Sequence, residues 1–63
     1  MKLTKKALSQ GQTVKQGNIA IRLTNGAYMV QDHTGNWYGF ETYKEAKEEY
    51  NRAIEIAENL KLQ

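Results

Sequence analysis

The stretch Trp37–Tyr50, WYGFETYKEAKEEY, decides the fold. It opens as a short aromatic strand, passes a helix-capping signal and continues as an amphipathic helix. Thr42 stands where an N-cap would, and Glu45, three residues on, completes the spacing of a capping box. Glu41 and Glu45 also fall near the positive end of the helix dipole. Beyond the cap, Tyr43, Ala46, Tyr50, Ala53, Ile54, Ala57 and Leu60 recur at helical spacing and form one stripe, with Ile56 on its flank. Lys44, Glu48, Arg52, Glu55 and Asn59 fill the opposite side, and Lys44–Glu48 and Glu48–Arg52 are i,i+4 pairs. The spacing predicts a helix to about Leu60 that frays through Lys61, Leu62 and Gln63. Its alanines allow a close approach to a sheet.

That sheet is legible upstream. From Asn18 to Thr24, Ile19, Ile21 and Leu23 alternate with Ala20, Arg22 and Thr24, the period of a half-buried strand. Asn25-Gly26 follows and accepts positive φ at both positions, as a type I′ hairpin requires. A two-residue turn pairs Thr24 with Ala27, Leu23 with Tyr28, Arg22 with Met29, Ile21 with Val30 and Ile19 with Asp32. In Asp32-His33-Thr34-Gly35-Asn36, Asp begins a turn and Gly suits the left-handed residue that closes a three-residue loop. That loop puts Val30 opposite Tyr38 and Tyr28 opposite Phe40 on the core face. It leaves Trp37 and Gly39 on the outer face beside Gln31 and Met29. A two- or four-residue loop would instead bury Trp37.

The predicted architecture is α+β: a three-stranded antiparallel β-meander packed on one C-terminal α-helix (βββα). Residues 1–17 read as an irregular basic N-terminal arm and residues 18–63 as the domain. In the arm, Leu3, Ala7 and Leu8 fit one face of a helical turn, or Leu3 a short strand. Gly11 and Gly17 read as loop punctuation, with Val14 as an anchor between them.

Sixty-three residues make at most one domain, and a chain this short buries only about 60% of its unfolded surface. With no cysteine and a single histidine, His33, neither a disulfide nor a zinc site is available to staple it. No cofactor, metal or small-molecule substrate is expected. No apolar run approaches a membrane span, and MKLTKKALSQGQ lacks an apolar signal core, so a cytoplasmic location without membrane contact is expected. The charge is uneven. Lys2, Lys5, Lys6, Lys15 and Arg22 give residues 1–31 a charge of +5 with no acid; seven acids against four basic residues give 32–63 a charge of −3. Asp32 and His33 lie in a turn and the remaining acids on or beside the helix, so no convergent acid–base set appears and an enzyme is not expected.

The informative feature is the sheet face the helix leaves open, which carries Arg22, Thr24, Met29, Gln31 and Trp37. Exposed Trp and Met together mark a contact surface. Arg and Gln can read guanine and adenine edges, and Lys2, Lys5, Lys6 and Lys15 would sit on phosphates. DNA is one expected partner. A host protein bound by the same face, or a homodimer through it, is the alternative. In a third arrangement, Leu3, Leu8 and Val14 fold over the face and bury Trp37 as ordinary core.

WYGFETYKEAKEEYNRAI resembles the last strand and helix of the plant Apetala/ethylene-response-factor DNA-binding domain and its relatives in phage integrases. The family pattern is W-x-G-x-F-x-T-x-x-E-A-x-x-x-Y-x-x-A. Trp37, Gly39, Phe40, Thr42, Glu45, Ala46, Tyr50 and Ala53 match it, with one residue fewer between Gly39 and Phe40. The resemblance spans roughly residues 18–54. It implies a three-stranded sheet with a packed helix, and DNA contact through Arg and Trp of the open face, which carries over to Arg22 and Trp37. Ala20, Met29 and Gln31 stand where the family places further arginines. The chain also looks like small phage and mobile-element proteins of Gram-positive bacteria, many of which bind host proteins, including as inhibitors of defence systems.

Overall fold

A computed structural model of the chain describes residues 3–61. Six elements follow in order: α1 (Lys5–Ser9), β1 (Val14–Gln16), β2 (Ile19–Thr24), β3 (Ala27–Gln31), β4 (Trp37–Phe40) and α2 (Tyr43–Lys61). The protein is α+β, with a four-stranded antiparallel sheet in the order β1-β2-β3-β4 and a C-terminal helix. The predicted three-stranded meander is thus one strand short, and the stretch read as an irregular arm contains both a helix and the extra strand.

The physical reasons are local. Thr4 caps α1: its hydroxyl accepts from the Ala7 amide at 3.0 Å. β1 pairs with β2 through Val14–Ile21, Lys15–Ala20 and Gln16–Ile19. The connection is a two-residue turn, Gly17-Asn18, with Gly17 at φ +62° and no positive φ at Asn18. That is the signature of a type II′ hairpin, which needs glycine at its first central position.

The rest of the sheet follows the predicted register, except that the β2–β3 ladder ends at Ala20–Gln31 and does not extend to Ile19–Asp32. Thr24–Ala27, Leu23–Tyr28, Arg22–Met29 and Ile21–Val30 pair across β2 and β3. Asn25 and Gly26 take φ +51° and +81°, the type I′ turn. Across β3 and β4, Tyr28 pairs with Phe40, Met29 with Gly39, Val30 with Tyr38 and Gln31 with Trp37. The loop between them closes on Gly35 at φ +91°, with Gly35 donating to the Asp32 carbonyl and the Asp32 amide to the Asn36 carbonyl.

Asp32 organises this loop. Its Oδ1 accepts from the Thr34 hydroxyl at 2.6 Å, the Thr34 amide at 2.9 Å and the Asn36 amide at 3.1 Å. The Thr34 hydroxyl bond is the main cause that holds its carboxyl below the usual value; desolvation opposes it, and the two amides and His33 add to it.

At the start of α2 the Glu45 amide donates to the Thr42 hydroxyl at 3.3 Å, and that hydroxyl donates to Glu45 Oε1 at 2.9 Å. The reciprocal contact is made through the hydroxyl rather than through the Thr42 amide of the usual capping box. The expected i,i+4 ion pairs are not formed. Among the described residues the pair within range is Arg52–Glu49, at 3.5 Å.

One core lies between the sheet and α2. Leu8, Val14, Ile19, Ile21, Val30, Ala46, Tyr50 and Ala53 form its buried cluster. Leu8, Val14, Ile21 and Val30 are its largest fully buried side chains, and each contributes about 1.5–3 kcal/mol by leaving water. Two of these four come from residues 1–17. Leu3 and Ala7 pack on the same cluster. The N-terminal segment therefore joins the helix side of the sheet and does not fold over the open face. Two residues assigned to the buried side are exposed: Tyr38, on the edge strand, at 44%, and Leu60, near the end of α2, at 54%. Lys2, Leu62 and Gln63 lie outside the described residues.

Candidate interaction face

Alternation along paired strands assigns the open face. Lys15 of β1, Ala20, Arg22 and Thr24 of β2, Ala27, Met29 and Gln31 of β3, and Trp37 and Gly39 of β4 share it. Trp37 is 44% exposed and Arg22 is exposed. Among the described residues the face carries two cations and no acid. Except for Asp32, sealed in its loop, the acids lie on α2 or just before it.

Arg22, Thr24, Met29 and Trp37 line a shallow, mostly apolar concavity of about 230 Å³. A Cβ at Gly39 would stand 3.3 Å from the sulfur of Met29, so the methionine lies across the glycine, its cross-strand partner. The Thr24 hydroxyl is shielded from solvent and finds no hydrogen-bond partner among the described residues. Such a group costs roughly 1–3 kcal/mol. Sequence reasoning identified Arg22, Thr24, Met29 and Trp37, and it also placed Gly39 on this face beside Met29, as the pairing shows.

The other predicted residues divide. Gln31 shares the face, but its Nε2 donates to the Gly35 carbonyl at 3.3 Å, which ties its amide to the β3–β4 loop. Lys15 reaches the face opposite Ala20. Lys5 and Lys6 are exposed on α1, which packs through Leu8 on the helix side of the sheet. The face thus gathers Arg22 and Lys15, and the other described lysines of the basic N-terminal half lie elsewhere.

A second groove, of about 300 Å³, lies at the far end of α2 between Gln16, Ile19, His33, Ile54 and Leu60. It borders Lys61, the last described residue, and holds none of the predicted site residues. Among the described residues no group of three or more His, Cys, Asp and Glu is placed to hold a metal ion, and no helix is long and apolar enough to cross a membrane.

Comparison with protein-family models, with curated proteins and with solved structures gives no match.

Proposed function

We propose that the chain is a small non-enzymatic interaction module that binds an acidic protein surface through its open sheet face. The observation that carries this reading is the apolar concavity of Trp37 and Met29, flanked by Arg22 on a face without acids. An aromatic and a methionine beside an arginine are the residue types that anchor protein interfaces. Arg22 and Lys15 would pair with carboxylates at the rim. A host protein, the kind of partner bound by many of the small phage and mobile-element proteins the chain looks like, is the partner class this reading implies.

Duplex DNA is the second reading, and the acid-free face with Arg22, Lys15 and Trp37 supports it. It is placed second for two reasons. Lys5 and Lys6 sit on the other side of the sheet, and the Gln31 amide is engaged by Gly35, so both phosphate and adenine contacts are fewer than the sequence suggests.

One pair of measurements separates the readings. Generic duplex is titrated against the chain at low salt while Trp37 emission is followed. Immobilised wild type, Trp37→Ala and the Lys5→Ala/Lys6→Ala double variant are then compared for retention of protein from a bacterial extract. The protein reading predicts no saturable response to duplex, and a retained protein that Trp37→Ala loses and the lysine variant keeps. Saturable duplex binding that weakens steeply with salt overturns it in favour of DNA.

A further inference from the structure

The two edges of the sheet are unlike. β1, three residues long, carries Lys15, an edge-protecting charge. β4 is Trp-Tyr-Gly-Phe, with no charge and no proline, and its first three residues are exposed. Trp37 and Tyr38, on opposite faces, are each 44% exposed. Bare aromatic edges of this kind are templates for strand pairing.

The hydrogen-bond pattern shows what the edge offers. The Asp32 amide bonds the Asn36 carbonyl, so Asp32 and Asn36 face each other across the ladder. Alternation then makes Val30–Tyr38 and Tyr28–Phe40 the bonded pairs of β3 and β4. The N–H and C=O groups of Trp37 and Gly39 point away from β3, toward the free edge.

We infer that β4 pairs antiparallel with β4 of a second copy of this chain, about a two-fold axis through Tyr38. The spacing is self-complementary. Trp37 of each copy falls opposite Gly39 of the other, and the two donors and two acceptors on each edge are all used. Each Trp37 indole reaches the other copy's Gly39, over which that copy's Met29 already lies, so the cross-strand contact is an aromatic ring against a methionine sulfur. The two Tyr38 side chains meet on the axis as a non-hydrogen-bonded pair, the closer of the two cross-strand geometries. Tyr38, left exposed beside α2, gains its partner there. The two sheets become one of eight strands with both open faces on the same side, so the Arg22 and Lys15 sets are doubled without new residues. The dimer does not depend on which macromolecule the open face binds. Its contact is shorter than the roughly 800 Å² per partner of a standard interface, so it is weak and concentration-dependent.

Because the chain has no cysteine, a single introduced thiol reports the geometry without interference. Tyr38→Cys places two thiols across the axis at the Cα separation a disulfide accepts. Under glutathione redox buffer it should form a covalent dimer at least about tenfold faster than Thr34→Cys, in the exposed loop, the factor expected when pairing raises the effective thiol concentration. Sedimentation equilibrium of the wild type should show the mass rising with concentration from 7.2 kDa toward twice that value. Tyr38→Lys, which sets like charges opposite each other, should stay monomeric with an unchanged circular dichroism spectrum. A wild type that remains monomeric at the highest soluble concentration overturns the inference. So does a dimer that Tyr38→Lys leaves intact, or a Tyr38→Cys chain that crosslinks no faster than the loop control.

Discussion

Leu8→Ala tests whether the N-terminal segment is part of the folded unit. Leu8 is fully buried in the cluster with Val14, Ile21 and Val30, and it is the buried anchor of α1. Truncation removes the transfer free energy of the side chain and leaves a cavity between sheet and helix, a combination that costs roughly 2–5 kcal/mol. A chain of 63 residues has a total stability of only about 3–9 kcal/mol. A loss of about 3 kcal/mol would lower the melting temperature by roughly 12–24 °C in a domain of this size. Urea titration followed by circular dichroism measures it, with the slope held against wild type to confirm that surface exposed on unfolding is unchanged. Lys6→Ala, exposed on the same helix, is the control and should stay within about 0.5 kcal/mol. If Leu8→Ala also stays within about 0.5 kcal/mol, α1 is a dangling arm and the core described here is wrong.

Three further outcomes follow from single contacts. Thr24→Val replaces a shielded, unpartnered hydroxyl with a methyl group and should raise stability by about 1 kcal/mol; a comparable loss in the urea midpoint would show that the hydroxyl has a partner. Gly17→Ala forces a side chain into a left-handed turn at φ +62° and should cost about 1–2 kcal/mol, with faster hydrogen exchange in β1; unchanged stability would contradict the type II′ turn. Asp32 has a folded-state pKa below its usual 3.8, so its stabilising effect is complete above that value and is lost as pH falls through the lower folded value. Asp32→Asn should therefore be less stable than wild type near neutrality, with the gap closing in acid; a gap that widens in acid would contradict the loop bonding.

The sheet and helix were legible where local chemistry leaves few alternatives. Asn25-Gly26 set the register of β2 and β3, and the three-residue loop ending at Gly35 carried it to β4. Thr42 with Glu45 marked the start of α2. β1 was not legible because it is three residues long with one apolar side chain, Val14, too short for alternation to register. Its decisive signal was Gly17-Asn18, a two-residue hairpin turn that reads as loop punctuation when no strand is recognised before it. α1 was obscured in the same way, since Thr4 caps it without a glutamate at the capping-box position. At the candidate site, the outward placement of Trp37 followed from the loop length. The separation of Lys5 and Lys6 from the face did not, because it depends on Leu8 docking on the helix side. Tyr38 followed its register to the helix side, yet burial also needs coverage, and an edge strand at the flank of α2 lacks it.

Every functional reading here requires Trp37, the single tryptophan, to be solvent-accessible in the isolated monomer. Acrylamide quenching of Trp37 fluorescence in dilute solution measures this directly. Trp37 should show red-shifted emission and efficient quenching, reduced when a partner occupies the face. Blue-shifted emission protected from acrylamide in the dilute monomer would contradict that accessibility.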